Sequence, residues 1–177
     1  MIGQLFFVKP TNKKENMIIF INGSINTGKT TVAKILATKI PQTANVEIDS
    51  LHAFIDWLEI DNAVPINLEN AVLIIKNFVK YGYNVVVPYP LSQKNYIYIK
   101  QELHDFSEQL HFFTLSPDIK KAQTSTQERK ISQWEHDRIQ YHYDIGIFSP
   151  SFGKIIDNTS QTPEETAKEI LSHLPKI

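Results

Sequence analysis

An apolar run, Met17 to Asn22 (MIIFIN), passes without a break into Gly23-Ser24-Ile25-Asn26-Thr27-Gly28-Lys29-Thr30, and helical spacing follows at once. A strand that is apolar on both faces belongs in the middle of a parallel sheet, covered above and below. The helix reads from about Gly28 to Ile40, with Val32, Ala33, Leu36 and Ile40 on one side and Pro41 closing it. A strand that turns tightly into a helix obliges the rest of the chain to supply more parallel strands and helices for both faces of the sheet.

The remaining sequence supplies them. Asn45 to Asp49, Asn84 to Val87, Gln109 to Leu115 and Lys154 to Asp157 read as further strands. Between them, helical spacing starts at Leu51, Phe54, Ile55 and Leu58, breaks at the proline-containing stretch Asp61 to Pro65, and resumes in a long helix with Leu68, Val72, Ile75 and Val79 as its buried stripe. Gly82 is placed to end that helix in the left-handed conformation. Pro88-Tyr89-Pro90 then makes a rigid exit from the third strand, followed by a helix over about Gln93 to Phe106. Ser116-Pro117 reads as the cap and first turn of a short helix to about Ala122, and Trp134 to Tyr143 as another helix. Thr162-Pro163-Glu164-Glu165 is a capping box opening the last helix, to about His173. The expected architecture is α/β: one three-layer domain, residues 17–177, around a five-stranded parallel sheet. Residues 1–16 form an extension in which Gln4 to Val8 is either an added edge strand or unstructured.

The turn matches G-x-x-x-x-G-K-[ST], the Walker A pattern, in the strand-to-helix context its mechanism needs. Four fixed positions of this kind arise by chance in on the order of one chain in a hundred, given average glycine usage. Main-chain N–H groups of such a loop converge on phosphate oxygens, the helix terminus adds partial positive charge, and Lys29 adds a full one. Gly23, Ser24, Asn26, Thr27, Gly28, Lys29, Thr30 and Thr31 are therefore the expected ATP-binding residues, with the Thr30 hydroxyl on Mg²⁺. The competing reading is an ordinary tight turn before a helix.

Composition narrows the partners. Lysine plus arginine number 18 against 19 acidic residues, so a net charge of -1 gives no reason to expect nucleic acid or an anionic membrane. With no cysteine, disulfides, thiolate metal sites and cysteine nucleophiles are excluded. No apolar stretch nears the roughly 20 residues that span a bilayer, and the first residues do not read as a secretory signal. A cytoplasmic protein, monomeric or homodimeric, is the expectation.

Ligands in open parallel sheets bind beyond the carboxyl ends of the strands. Asp49, ending the second strand, is placed to take the proton of an attacking hydroxyl, or else to cap the following helix. His52 lies one turn on and shares that face or the surface. Tyr89 and Ser92 follow the third strand and either face the acceptor or only stiffen the turn. That strand ends in Val85-Val86-Val87-Pro88, without the usual Walker B carboxylate, so Mg²⁺ support falls to Asp49 through water, or to Thr30 and phosphates alone. The chain's two arginines, Arg129 and Arg138, both fall in the segment 124–142, the expected lid. A guanidinium there can meet the transferring phosphoryl. The alternatives are a solvated charge for Arg129, and pairing with Glu135 or stacking on Trp134 for Arg138.

Together GSINTGKT, the strand-terminal VEID, the arginine lid and KIIDNTSQTPEETAKEI resemble the small P-loop kinases, similar to chloramphenicol phosphotransferase, shikimate kinase and gluconate kinase, over about residues 17–175. The resemblance implies strand order 2-3-1-4-5, transfer of a phosphoryl group from ATP to the hydroxyl of a small molecule, and adenine packing on the loop after the fifth strand, here Asn158, Thr159 and the Pro163 turn. Two departures stand out: no glycine-rich acceptor loop follows the third strand, and the lid has one arginine where such enzymes often carry two close together. A nucleotide-binding switch ATPase and a polynucleotide end kinase are the competing classes.

Overall fold

The computed structural model describes residues 16–125 and 129–175; the possible edge strand at Gln4 to Val8 lies outside them. Five strands, β1 (Ile18–Gly23), β2 (Thr43–Asn45), β3 (Asn84–Pro88), β4 (Leu110–Leu115) and β5 (Lys154–Ile156), pair in parallel in the order β2-β3-β1-β4-β5. The strand order implied by the resemblance is thus the observed one.

Alternate residues of β1 feed opposite layers, as the two-residue period of a strand requires. Ile18 and Phe20 pack with Leu68, Val72, Ile75 and Val79 of α2 (Ile60–Lys80) and with Ile99 of α3 (Gln93–Glu102). Ile19 and Ile21 pack with Val32, Ala33 and Leu36 of α1 (Lys29–Lys39) and with Ala167 and Ile170 of α6 (Pro163–Ser172). The remaining helices, α4 (Ile119–Ala122) and α5 (Gln133–Asp144), lie between β4 and β5 in the chain. Among the described residues no helix is long and apolar enough to cross a membrane.

Four local expectations are corrected. The second strand ends at Asn45, and Asp49 sits instead in a 3₁₀ segment, Ile48–Ile55. Three residues suffice to pair with β3, after which only the Val46 amide still bonds across, to the Val86 carbonyl. The stretch Asp61 to Pro65 is helical: α2 starts at Ile60 and Pro65 lies inside it. Proline there costs one backbone bond near the helix start, while the buried stripe behind it holds the helix together. The third helix stops at Glu102, and a separate 3₁₀ segment, His104–Gln109, follows. The cap of α4 is Asp118, whose side chain accepts from the Lys120 amide, and not Ser116. Gly82 is left-handed (φ 83°) and the Thr162–Glu165 capping box is present, as expected.

Asn22, fully buried at the end of β1, ties the loops beyond the sheet to one point. Its Oδ1 accepts from the Leu91 amide at 2.7 Å, and its Nδ2 donates to Thr114 Oγ1 at 3.0 Å and to the Ile147 carbonyl at 3.2 Å. A buried polar side chain with every bond made holds its neighbours rigidly.

Candidate functional site

The glycine loop takes its shape from three residues. At Gly23 a Cβ would stand 2.6 Å from the Leu115 carbonyl oxygen and 2.7 Å from Thr27 Oγ1, so only glycine fits. Gly28 caps α1 at φ 91° with open space above it. Asn26 is left-handed (φ 60°) without being glycine, and its amide is anchored to the carbonyls of Ala122 at 2.9 Å and Thr124 at 3.2 Å. Whereas α3, α5 and α6 begin with serine or threonine caps, α1 has no side-chain cap and no acidic residue in its first turn. Its N-terminal amides are thus left for an anion.

Lys29 folds back over this loop and donates to the Ser24 carbonyl at 2.6 Å. Burial lowers its pKa to about 8, with Asp49 opposing that shift and Arg129 adding to it. A partly desolvated ammonium without a full counter-charge is poised for a polyphosphate.

Above the loop lies a cavity of about 450 Å³. Gly28, Lys29, Thr30 and Thr31 form one end; Asp49, His52 and Tyr89 line it from beyond β2 and β3; Arg129 and Arg138 line it from the segment before β5. Five candidates from separate parts of the sequence, Asp49, His52, Tyr89, Arg129 and Arg138, thus share one space with the loop and its helix start. Asp49 is open to water yet walled in by protein, and burial raises its carboxyl above the usual value, Lys29 and His52 opposing and Glu47 adding. It is not the cap of its segment: that position is held by Glu47, and no side chain caps it. Tyr89 is buried, and that burial together with Asp49 pushes its phenol up to about 12, so it remains a hydrogen-bond donor at any working pH.

Both arginines are engaged by carboxylates. Arg129 donates to Glu135 Oε1 at 2.6 Å, while Glu135 Oε2 accepts from the amide of Ser132 in the capping box of α5. Arg138 lies 3.6 Å from Asp61 and 5.1 Å from the Tyr141 ring, rather than on Glu135 or Trp134.

Other candidates lie elsewhere. Ser92 caps α3, accepting from the Asn95 amide at 3.2 Å, and does not line the cavity. Asn158 is buried and donates to the Thr27 carbonyl at 3.0 Å, and Lys121 Nζ holds the Asn158 and Thr159 carbonyls at 2.6 Å each. The loop after β5 is thereby fastened to the back of the phosphate loop. Thr159 borders a separate surface hollow with Pro117 and Tyr143, and Pro163 is exposed in the first turn of α6.

The sequence reading missed Asn67, Trp134 and His142 in the cavity wall. Trp134, Arg138 and His142 recur every four residues, a spacing that puts them on one face of α5. His142 is buried and shares a 3.2 Å hydrogen bond with Ser24 Oγ, its direction set by the imidazole tautomer. Burial, then the charges of Arg138 and Lys29, lower its pKa from 6.5 to about 4. The unfolded chain takes up this proton below pH 6.5 and the fold does not until about pH 4, so stability falls with pH across that window. Wild-type protein should lose up to about 3 kcal/mol more than His142→Asn over that range, measured by denaturant titration at each pH.

Among the described residues no three acidic or imidazole groups converge on a possible metal. The donors present, the Thr30 hydroxyl and the Asp49 carboxylate in one cavity, suit Mg²⁺, which keeps several waters and leans on phosphate oxygens.

No protein-family model matches the sequence, and no curated protein matches it. Solved structures do match in shape. A tunicamycin resistance protein of Deinococcus radiodurans superposes with a TM-score of 0.65 at 18% identity, over 89% of this chain and 95% of that one. The APS kinase of Mycobacterium tuberculosis, in complex with AMPPNP and APS, gives 0.66 at 16% identity, over 89% and 96%. A gluconokinase of Sinorhizobium meliloti gives 0.62 at 16% identity, over 91% and 92%. The fold of this chain is that of the small P-loop kinases.

Proposed function

We propose that the protein is a kinase that moves the terminal phosphoryl group of ATP onto a hydroxyl of a small molecule. The carrying observation is the single cavity in which Lys29, Asp49 and Arg129 meet above an uncapped helix start. The similarity to structures of a gluconokinase and of a kinase holding AMPPNP supports this reading.

Each residue has a part in it. The loop amides, Lys29 and Thr31 hold the phosphates, and Thr30 supports Mg²⁺, which would neutralise charge on the phosphate oxygens. Asp49 accepts the acceptor's hydroxyl proton; the acceptor oxygen bonds to the γ-phosphorus as the bond from that phosphorus to the ADP oxygen breaks. Its raised pKa suits a base that must hold a proton briefly. Tyr89 and His52 orient the acceptor. Segment 124–142 acts as the lid, and Arg129 leaves Glu135 to meet the transferring group. The base of the nucleotide reaches toward Asn158, Thr159 and Pro163.

Arg129→Ala should lower turnover about 10- to 100-fold, the worth of a charge-assisted hydrogen bond. A loss of less than a few-fold in steady-state ADP formation would remove Arg129 from the reaction. The function itself is tested by screening metabolite extracts for acceptor-stimulated ADP release with Lys29→Ala protein as the blank. Slow ATP consumption that no acceptor accelerates would point to a switch ATPase, and a requirement for an oligonucleotide to an end kinase.

A further inference from the structure

Resting on the kinase reading, we infer that the acceptor carries a planar ring beside its hydroxyl and no acidic group, being neutral or cationic. The observations come from the outer end of the cleft. A second cavity of about 420 Å³ adjoins the first and shares with it His52, Ile60, Trp134 and Arg138. Both of the chain's tryptophans line this second cavity, Trp57 79% exposed and Trp134 57% exposed. Leaving two indoles open to water at one cleft is unfavourable unless a ligand covers them, and a flat ring offers the best contact with such faces.

Charge decides the rest. The outer cavity presents the carboxylates of Asp56, Glu59 and Asp61 against one arginine, Arg138, which already faces Asp61 at 3.6 Å. In the inner cavity Arg129 is engaged by Glu135, and Lys29 belongs to the phosphate end. An acceptor with a carboxylate or phosphate would bring a like charge to the acidic rim, while an ammonium would be attracted by the carboxylates and by the indole faces. Deeper in, Asn67 is 6% exposed, lines the cavity, and its Oδ1 has no hydrogen-bond partner; His52 Nδ1 is likewise buried and unpartnered. A buried polar atom left unpaired is costly, and a turn of either side chain toward the cavity would let a polar group of the acceptor satisfy it.

Three probes share a phenyl ring and a benzylic hydroxyl and differ only in the second substituent: 2-amino-1-phenylethanol, 1-phenylethane-1,2-diol and mandelate. Their binding to the full chain, loaded with Mg²⁺ and a non-hydrolysable ATP analogue, is read by tryptophan quenching and by calorimetry. The amine is expected to bind at least tenfold more tightly than mandelate, with the diol between them. Ethanolamine, which lacks the ring, should bind at least tenfold more weakly than the phenyl amine. Trp57→Ala and Trp134→Ala should each weaken the amine about tenfold, and analogue binding by the same variants reports that they are folded. Mandelate binding as tightly as the amine, or no probe binding to protein that does bind the analogue, would overturn the assignment while leaving the kinase reading intact. Failure of the analogue itself to bind would overturn both.

Discussion

Lys29→Ala should lower ATP turnover by about 10²- to 10³-fold, the usual loss when one preorganised positive group at a reacting phosphoryl is removed. The fold should survive the change. Lys29 sits against its own loop carbonyl, and burial already penalises its charge, so the alanine removes an electrostatic cost along with one hydrogen bond. Equal thermal stability of the two proteins without nucleotide, and a larger rise in melting temperature on adding ATP in the wild type than in the variant, are the expected pair of results.

The same lysine makes nucleotide binding pH-dependent in a direction that can be worked out. Below about pH 8 the ammonium is charged and ready; above it the free protein has lost the proton, and binding must restore it. Each further pH unit then costs up to about 1.4 kcal/mol, or tenfold in affinity. Calorimetry from pH 7 to 9.5 should show this decline in the wild type and none in Lys29→Ala.

Asp49→Asn should lower acceptor-stimulated turnover by about 10²- to 10⁴-fold, the range for loss of a positioned general base. ATP affinity near pH 7 should change far less. In wild-type protein the acidic limb of the rate profile should lie above the ordinary carboxylate range, since turnover falls as Asp49 takes up its proton and its pKa is raised. That limb should vanish in the variant. A second effect follows from the coupling of the two groups: Asp49 raises the pKa of Lys29, so in Asp49→Asn the alkaline decline in nucleotide affinity should begin at lower pH. Turnover unchanged within a few-fold in the variant would remove Asp49 from proton transfer.

Residues whose position follows from local rules were legible in the sequence. The loop Gly23 to Thr30 has its own backbone code, the buried stripes of α1 and α2 follow the helical period, and the Thr162–Glu165 box fixes the start of α6. Where tertiary packing overrides a local signal, the reading failed. Pro65 looked like a break, but a helix begun five residues earlier and anchored by Ala63 and Leu68 carries it. Asp49 read as strand because apolar Val46 and Ile48 flank Glu47, although pairing stops at Asn45. His142 and Asn67 were invisible as site residues for a different reason. Asn67 is one polar side chain beside the apolar stripe of α2 and His142 one ring on the Arg138 face of α5, and only the packing of the two helices around the cavity brings both to its wall.

The cleft is assembled from three sources. Its phosphate end belongs to the loop and α1, which pack with α6 on one side of the sheet; its outer end belongs to the 3₁₀ segment and α2, which pack on the other, and to Trp134 and Arg138 of α5. Asn22 holds the loops beyond the sheet, and Asp56, Trp57, Leu58, Glu59 and Asp61 line the outer cavity without reaching the inner one. On the kinase reading, a changed acceptor preference would begin in that short stretch and would have to be matched by Trp134 and Arg138 of α5 across the cleft.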